Sequence, residues 1–150
     1  MPAWSTSADR MSPLFRFFRL PRNERSAYWT AFRWLIAIRL WFYCASFRRI
    51  TDFVASRPVQ ANASTRPPLE RLYAILQNAG VRVPSTCLTR SLAGAVVLAR
   101  FGYPSQVCIG VSGTPDFQAH AWLECEGRCL GENADSAARW KELTRVSVGR

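Results

Sequence analysis

The spacing of apolar and polar residues divides the chain into a helical first half and a second half that combines a helix with strands. Residues 26–50 contain no Gly or Pro, and their apolar positions predict one long helix. Residues 57–68, with the sequence RPVQANASTRPP, are typical of a linker. Pro68 then begins a predicted helix that we expect Gly80 to end.

A second, strongly apolar helix is predicted between residue 85 and about residue 100. Ser85 is its candidate N-cap, and Gly102 is the residue expected to stop it. The apolar side chains that fall on or near one face of this helix are Leu88, Leu92, Val96 and Val97. A helix with such a face belongs in the core of the domain.

The period of alternation then changes to two, which is typical of β-strands. Residues 105–113 predict a buried strand, residues 117–125 predict a second one, and a tight turn at residues 126–128 leads into a third. The tail from residue 133 onwards predicts a loop or a short helix. Helices followed by a run of antiparallel strands indicate an α+β domain.

Positive charge is concentrated in the first half of the chain. The sequence has 20 Lys and Arg against 10 Asp and Glu, a net charge of +10. Residues 1–66 carry +8 of that charge, from eleven Arg against three acidic residues. This skew predicts an anionic partner: nucleic acid, a membrane surface or an acidic peptide. In the helix predicted over residues 26–50, the longest uncharged run is Leu40–Phe47. This run is far shorter than the about 20 residues that a membrane span requires. We therefore expect that helix to pack on protein, with contact at a membrane surface and then a true span as the alternatives.

The cysteine pattern predicts a cytoplasmic protein with reduced thiols. The five cysteines are Cys44, Cys87, Cys108, Cys125 and Cys129. Their number is odd, and the first residues show no secretory signal pattern. Zinc held by cysteines and His120 is disfavoured because no paired CxxC knuckle is present, and strand alternation places Cys125 on the opposite face from His120.

Cys87 and His120 form the candidate catalytic pair. Cys87 falls in the first turn of a predicted helix, where backbone N–H groups and the helix dipole favour a thiolate and can bind an oxyanion. His120 is the only histidine in the sequence and lies within a predicted strand. Beyond the next turn, the carboxylate of Glu132 or its neighbours can reach the imidazole and orient it. By spacing alone, a core cysteine and a half-buried strand histidine remain open as alternatives.

A family resemblance adds to this pattern. The run TCLTRSLAGAVVLARFGYPSQVCIGV followed by FQAHAWLECEGRCLGE resembles the lasso-peptide leader peptidases, which are transglutaminase-like cysteine proteases. The match extends from about Leu69 to Glu132. It implies a transglutaminase-like, papain-like core over residues 67–150, with a catalytic helix packed on an antiparallel sheet. Residues 1–66 would then form a basic, aromatic-rich helical extension.

The same resemblance implies roles for individual residues. Cys87 matches the nucleophile, and His120 matches the general base and acid. The family's third residue is normally Asp, where this chain has Glu132, and Asp135 or Asn133 are the alternatives. The residues expected to support the site or contact substrate are Arg90 and Trp122, with Gly127 in a turn that requires positive φ. Gln106 and Gln118 are the side chains considered for an oxyanion donor. No cofactor or metal is implied.

The function implied by the resemblance is removal of the leader from a ribosomally made lasso-peptide precursor, a step in antibiotic biosynthesis. The implied partners are the precursor's leader, a small leader-binding recognition protein and an ATP-dependent lasso cyclase. The setting would be the bacterial cytoplasm, with membrane association as an option. Two alternatives stay open: a non-catalytic basic scaffold for an acidic peptide, nucleic acid or membrane surface, and a transglutaminase-type acyltransferase. No RNA- or DNA-binding fold signature accompanies the basic residues, so nucleic acid is not expected as a partner.

Overall fold

Helices occupy the first part of the described chain and strands the second, as the alternation predicted. The computed structural model describes residues 21–60, 66–113, 116–131 and 139–149. The helices within these ranges are α1 (Arg22–Cys44), α2 (Phe47–Ala55), α3 (Leu69–Arg82) and α4 (Cys87–Arg100). The strands are β1 (Ser105–Ser112), β2 (Gln118–Cys125), β3 (Arg128–Leu130) and β4 (Lys141–Val148). They form one antiparallel sheet in the order β3-β2-β1-β4, which confirms the α+β class.

Helix α1 packs against α3 and α4 through small and branched side chains. Its buried residues are Ala27, Ala31, Leu35 and Ile38, a spacing that places them on one face. The two alanines allow a close approach, and each fully buried Leu or Ile stabilises the fold by about 1.5–3 kcal/mol. In the described part of the chain, no helix combines the length and the apolar composition that crossing a bilayer would require.

The prediction of one helix over residues 26–50 was wrong, because the chain bends between α1 and α2. Ser46 has an extended backbone, with φ −69° and ψ 151°, and ends the helical path after Cys44. The bend brings Phe53 of α2 back onto Trp41 and Trp34, at centroid distances of 4.7 and 5.6 Å. A continuous helix would carry Phe53 far from both indoles, so aromatic packing favours the break.

Gly80 does not end α3, contrary to the prediction, and the helix continues to Arg82. The glycine is buried, and a Cβ on it would come within 2.9 Å of Arg90 Cδ. It therefore allows the arginine side chain of α4 to cross α3 closely. Close approach of a neighbouring element is a second reason for a glycine in this position, besides ending a helix.

Helix α4 is the central element of the core. Residues 91–99 are all buried, and the helix contacts α1, α3, β1 and β2. Gly94 lies beneath Leu123 of β2, and a Cβ there would overlap the leucine side chain. Ser91 Oγ donates a buried 3.1 Å hydrogen bond to the carbonyl oxygen of Ala121. These two contacts fix how α4 sits on the sheet.

The ends of the predicted linker are anchored at the last turn of α4. The Gln60 N–H donates to the Ala99 carbonyl at 3.0 Å, and Arg66 Nη1 donates to the Gly102 carbonyl at 3.1 Å. Gly102, with φ +84°, follows the helix end as predicted. Residues 61–65 lie outside the described residues. Gln60 and Arg66, on either side of that gap, therefore both contact the end of the helix that begins with Cys87.

The tail contains a strand that the sequence pattern did not reveal. Residues Lys141–Val148 form β4, which pairs with β1, whereas a loop or short helix was predicted. Its first five residues are exposed, and only the last three turn towards the core. Strand periodicity is readable when one face is apolar and buried, and here that signal is confined to Val146 and Val148.

The turn between β2 and β3 agrees with the prediction. Glu126 and Gly127 both have positive φ, of 52° and 73°, as in a two-residue type I′ hairpin turn. Strand β3 is only three residues long and pairs with Leu123–Cys125. It therefore stops short of the part of β2 that carries His120.

Candidate active site

Cys87 is the first residue of α4. The N-cap is Thr86, not the predicted Ser85, and its Oγ1 accepts a 3.2 Å hydrogen bond from the Thr89 N–H. That cap occupies the third amide of the helix and leaves those of Cys87 and Leu88 without an acceptor inside it. The half-buried thiol therefore sits where backbone N–H groups and the helix dipole favour negative charge.

His120 lies in β2 with aromatic side chains around its ring. Its centroid is 6.2 Å from Trp122, with nearly parallel planes, and 5.0 Å from Trp140. Trp122 packs over Gly110 of the paired strand, where a Cβ would come within 3.1 Å of the indole. Gly110 thus leaves room for Trp122, and the two tryptophans hold the imidazole plane in a defined orientation.

One cavity of about 240 Å³ joins the two candidate catalytic residues. Cys87 and His120 both line it. The cavity lies at the edge of β2, since Ala121, whose side chain alternates to the other face of the strand from His120, lines it as well. Its other lining residues come from α3, α4, β2 and the end of β3: Tyr73, Leu76, Gln77, Arg90, Ser91, Ala121, Trp122, Leu123, Leu130 and Gly131. A cysteine and a histidine that lie 33 residues apart in the sequence therefore line one cavity.

The arrangement of this site can be compared with known proteins. The sequence model of one protein family, the transglutaminase-like superfamily, matches residues 32–146, more than half of the chain. The chain belongs to this superfamily. No curated protein and no solved structure gives a significant match. Domains of the transglutaminase-like superfamily are typically cysteine proteases or acyltransferases, and both chemistries use a nucleophilic thiol.

Two residues that were predicted to support the site also line the cavity. Arg90 donates from Nη2 to the Ser85 carbonyl at 3.2 Å, and its alkyl chain crosses Gly80. Trp122 stacks near His120 and donates from Nε1 to Glu124 at 3.3 Å. Arg90 therefore braces the entry to α4, and Trp122 braces the histidine.

The third residue of the site remains a prediction. Glu132, its alternative Asp135, and Asn133 lie outside the described residues. The described chain does reach the cavity at Leu130 and Gly131, immediately before Glu132.

Neither glutamine considered as an oxyanion donor lines this cavity. Gln106 contacts Arg145 instead, and Gln118 is exposed at the start of β2. Gln77 and Tyr73, which were not predicted, do line it. Both lie on α3 four residues apart, so helical periodicity could have paired them with each other. It could not have placed them beside Cys87, because that depends on how α3 packs.

A separate polar cluster lies across β1, β2 and β4 around Arg145. Its guanidinium pairs with Glu124 and Glu142, each at 2.7 Å, and contacts Gln106. Cys108 and these two carboxylates are near enough to one another to hold a metal ion. However, Arg145 already neutralises both acids and holds the pKa of Glu142 below its usual range. Burial, followed by the charge of Glu124, raises the pKa of the Cys108 thiol to about 12. The cluster therefore suits a structural ion pair better than a cation site.

Proposed function

We propose that this transglutaminase-like protein is a cysteine endopeptidase that removes the leader from a lasso-peptide precursor. The observation that carries the proposal is the shared cavity: Cys87, at the start of α4, and His120, on β2, line the same space. The sequence resemblance supplies the substrate class. This reaction is consistent with a family whose members are proteases or acyltransferases.

The proposed reaction has two stages. His120 accepts the Cys87 proton, and the thiolate attacks the carbonyl carbon of the last leader residue. Backbone amides at the start of α4 stabilise the resulting oxyanion. The intermediate collapses as His120 returns the proton to the departing amine of the core peptide, which leaves the leader as a thioester on Cys87. Water, deprotonated by His120, then hydrolyses the thioester and releases the leader.

The lining of the cavity favours a peptide over a highly charged substrate. Leu76, Leu123 and Leu130 provide apolar lining, and Arg90 is the one permanently charged side chain among the described lining residues. An extended peptide fits such a site through its backbone and a few side chains. The acid that orients His120 is proposed to be Glu132, with Asp135 as the alternative.

We place partner docking on the outer face of α1. This face, opposite to the buried one, carries Trp29, Ile36, Leu40 and Tyr43, which are 37–78% exposed. Arg33 lies within the same stripe. The acidic residues of α1 and α2 are already paired, Glu24 with Arg71 and Asp52 with Arg48. The complementary partner is therefore an acidic protein with an apolar patch, and we propose the leader-binding recognition protein.

A membrane is the less suitable occupant of this face. In a helix lying on lipid, cations flank the apolar stripe, whereas Arg33 interrupts it. The proposal thus divides the functions of the chain. The part from residue 67 onwards carries the cysteine and the histidine, and the region before it binds the partner. The ATP-dependent cyclase would receive the released core, and the reaction would take place in the bacterial cytoplasm.

The decisive experiment is mass spectrometry of a precursor peptide incubated with this protein and its leader-binding partner. We expect cleavage at one leader–core bond by the wild type, and none by Cys87→Ala or His120→Ala. Cys44→Ala, which removes an exposed thiol on α1, is the matched control and should cleave normally. Cleavage that survives Cys87→Ala would refute the mechanism.

The same experiment separates the alternative functions. In water enriched with the heavy oxygen isotope, a peptidase adds the label to the new carboxyl of the leader. An acyltransferase would instead join the leader to an added primary amine, through the same thioester. Retention of uncleaved peptide by the wild type would favour the scaffold interpretation.

A further inference from the structure

We propose that Gln77 is the side-chain oxyanion donor of this site and that Tyr73 positions it. The proposal rests on the acyl-transfer chemistry of Cys87 described above. Attack on a carbonyl transfers negative charge to its oxygen, and donors that are already in place stabilise that charge. The amide of Cys87 can provide one such donor. A side chain that lines the same cavity can add a donor to those of the backbone.

Two polar side chains around the cavity already have their donors engaged. Ser91 Oγ donates to the Ala121 carbonyl, and Trp122 Nε1 donates to Glu124. Gln77 is half-buried on α3 and lines the cavity together with Cys87 and His120. Its amide is neutral, so it can stabilise an oxyanion without forming an ion pair with the thiolate beforehand.

Tyr73 fixes the position of the Gln77 amide. The two residues lie one turn apart on α3, and Gln77 Nε2 donates a hydrogen bond to Tyr73 Oη. A primary amide has two N–H groups, so this bond leaves one for a substrate oxygen. The hydroxyl thus holds the side chain in one rotamer before substrate arrives, and such preorganisation is what makes an oxyanion donor effective.

Gly131 provides the space that Tyr73 needs. It follows β3 with φ +81°, and a Cβ at this position would overlap the Tyr73 hydroxyl. The chain just before Glu132 therefore packs directly against the tyrosine that positions Gln77. Gly131, Tyr73 and Gln77 form a continuous contact path from the end of β3 to the cavity.

The test compares two reactions of the same thiol. With p-nitrophenyl acetate, the Cys87 thiolate attacks the ester carbonyl, p-nitrophenolate leaves, and the acetyl group stays as a thioester after passing through an oxyanion. With iodoacetamide, the thiolate displaces iodide and no oxyanion forms. We expect Gln77→Ala to slow acetylation by about 10²–10³-fold. Alkylation of Cys87 should remain within about twofold of the wild type.

Additional variants separate donation from structure. Gln77→Glu keeps the size but removes the donor, and its acetylation should be at least as slow as that of Gln77→Ala. Tyr73→Phe should slow acetylation by about tenfold at unchanged alkylation, because the donor remains but is less well positioned. Asn78→Ala, an exposed neighbour on α3, is the matched control and should react normally.

The outcomes distinguish this proposal from the one on which it rests. Normal acetylation of Gln77→Ala, beside a wild type that acetylates Cys87, would overturn the role of Gln77 alone. Equal losses in acetylation and alkylation would also overturn it, because they would show a structural role. Loss in Arg90→Ala but not in Gln77→Ala would assign the donor to Arg90. A wild type no faster than Cys87→Ala would refute the acyl-enzyme chemistry, and with it the oxyanion donor.

Discussion

Ser91 and Ala121 form the hydrogen bond that connects the two elements carrying the candidate catalytic pair. Ser91 Oγ donates to the Ala121 carbonyl at 3.1 Å, and both residues are buried. Ser91 lies one turn after Cys87 in α4, and Ala121 directly follows His120 in β2. The bond therefore sets the position of the nucleophile relative to the imidazole.

Replacing this serine should affect both stability and catalysis. Ser91→Ala removes the donor from a buried carbonyl, and we expect the free energy of unfolding to fall by about 1–3 kcal/mol in urea denaturation. Peptide cleavage should fall by at least about tenfold, because a small misplacement of reacting groups has a large kinetic effect. Ser56→Ala is the control, since its hydrogen bond to Phe53 is exposed. Full activity of folded Ser91→Ala would show that this bond does not align the site.

Thiol reactivity should differ sharply among the cysteines. Burial raises the pKa of Cys108 to about 12 and that of Cys125 to about 11, so both remain protonated near neutral pH. At about pH 8, iodoacetamide should modify Cys87 in the native protein and leave these two unmodified until urea is added. Peptide mapping would locate the label. Modification of Cys108 under native conditions would contradict its burial.

The same two thiols predict a loss of stability at alkaline pH. Their pKa values are higher in the folded state than in the unfolded one, so unfolding releases their protons above about pH 9. Their stabilising contribution is complete below that pH and is lost as the pH rises towards 11–12. Each thiol adds a slope of at most about 1.4 kcal/mol per pH unit.

Urea denaturation at several pH values would measure this slope. Replacing both Cys108 and Cys125 by alanine should flatten it, even though the double variant is less stable throughout. The exposed Cys44 provides the control, because Cys44→Ala should keep the wild-type slope. An unchanged slope in the double variant would assign the alkaline loss to other groups, such as Tyr103, whose pKa is also raised by burial.

The acid that orients His120 can be identified by two isosteric substitutions. If Glu132 has this role, Glu132→Gln should lower kcat by about 10²–10⁴-fold, because the imidazole loses its tautomer and its stabilising charge. Glu132→Asp should retain part of the activity. Asp135→Asn serves as the comparison and should stay within about twofold of the wild type. The reverse pattern would assign the role to Asp135.

Partner binding should depend on the outer face of α1. Arg33→Glu combined with Leu40→Ser replaces one cation and one apolar contact, and we expect about 10²-fold weaker binding to the leader-binding protein by calorimetry. Acetylation of Cys87 should be unchanged. Val81→Ser removes an exposed apolar side chain on α3 and is the control. Unchanged affinity, or loss of binding to anionic vesicles instead, would move the partner site elsewhere or favour a membrane.

The elements with strong periodicity were predictable from sequence. Helix α4, β1 and β2 were predicted close to their observed positions, because their apolar faces are buried along most of their length. Cys87 and His120 could be singled out as residue types in suitable elements. Their meeting in one cavity depends on the Ser91–Ala121 contact and on Gly94, which no local pattern encodes.

The errors have a common physical origin in tertiary contacts. Glycine often ends a helix, but Gly80 stands inside α3 because the Arg90 side chain occupies the space that a Cβ would take. The bend at Ser46 occurs within a run that favours helix, because Phe53 packs on Trp41. Gln77 could not be recognised as part of the site, because its helix precedes Cys87 and only packing turns it towards the cavity.

The charged composition of β4 affects how the protein behaves at high concentration. This strand ends the sheet on one side, and an exposed strand edge can pair with a second molecule and start aggregation. Lys141, Glu142 and Arg145 lie along it, and charges of this kind oppose such pairing. The polar side chains that concealed β4 from sequence analysis therefore also protect the folded protein from polymerising through its sheet.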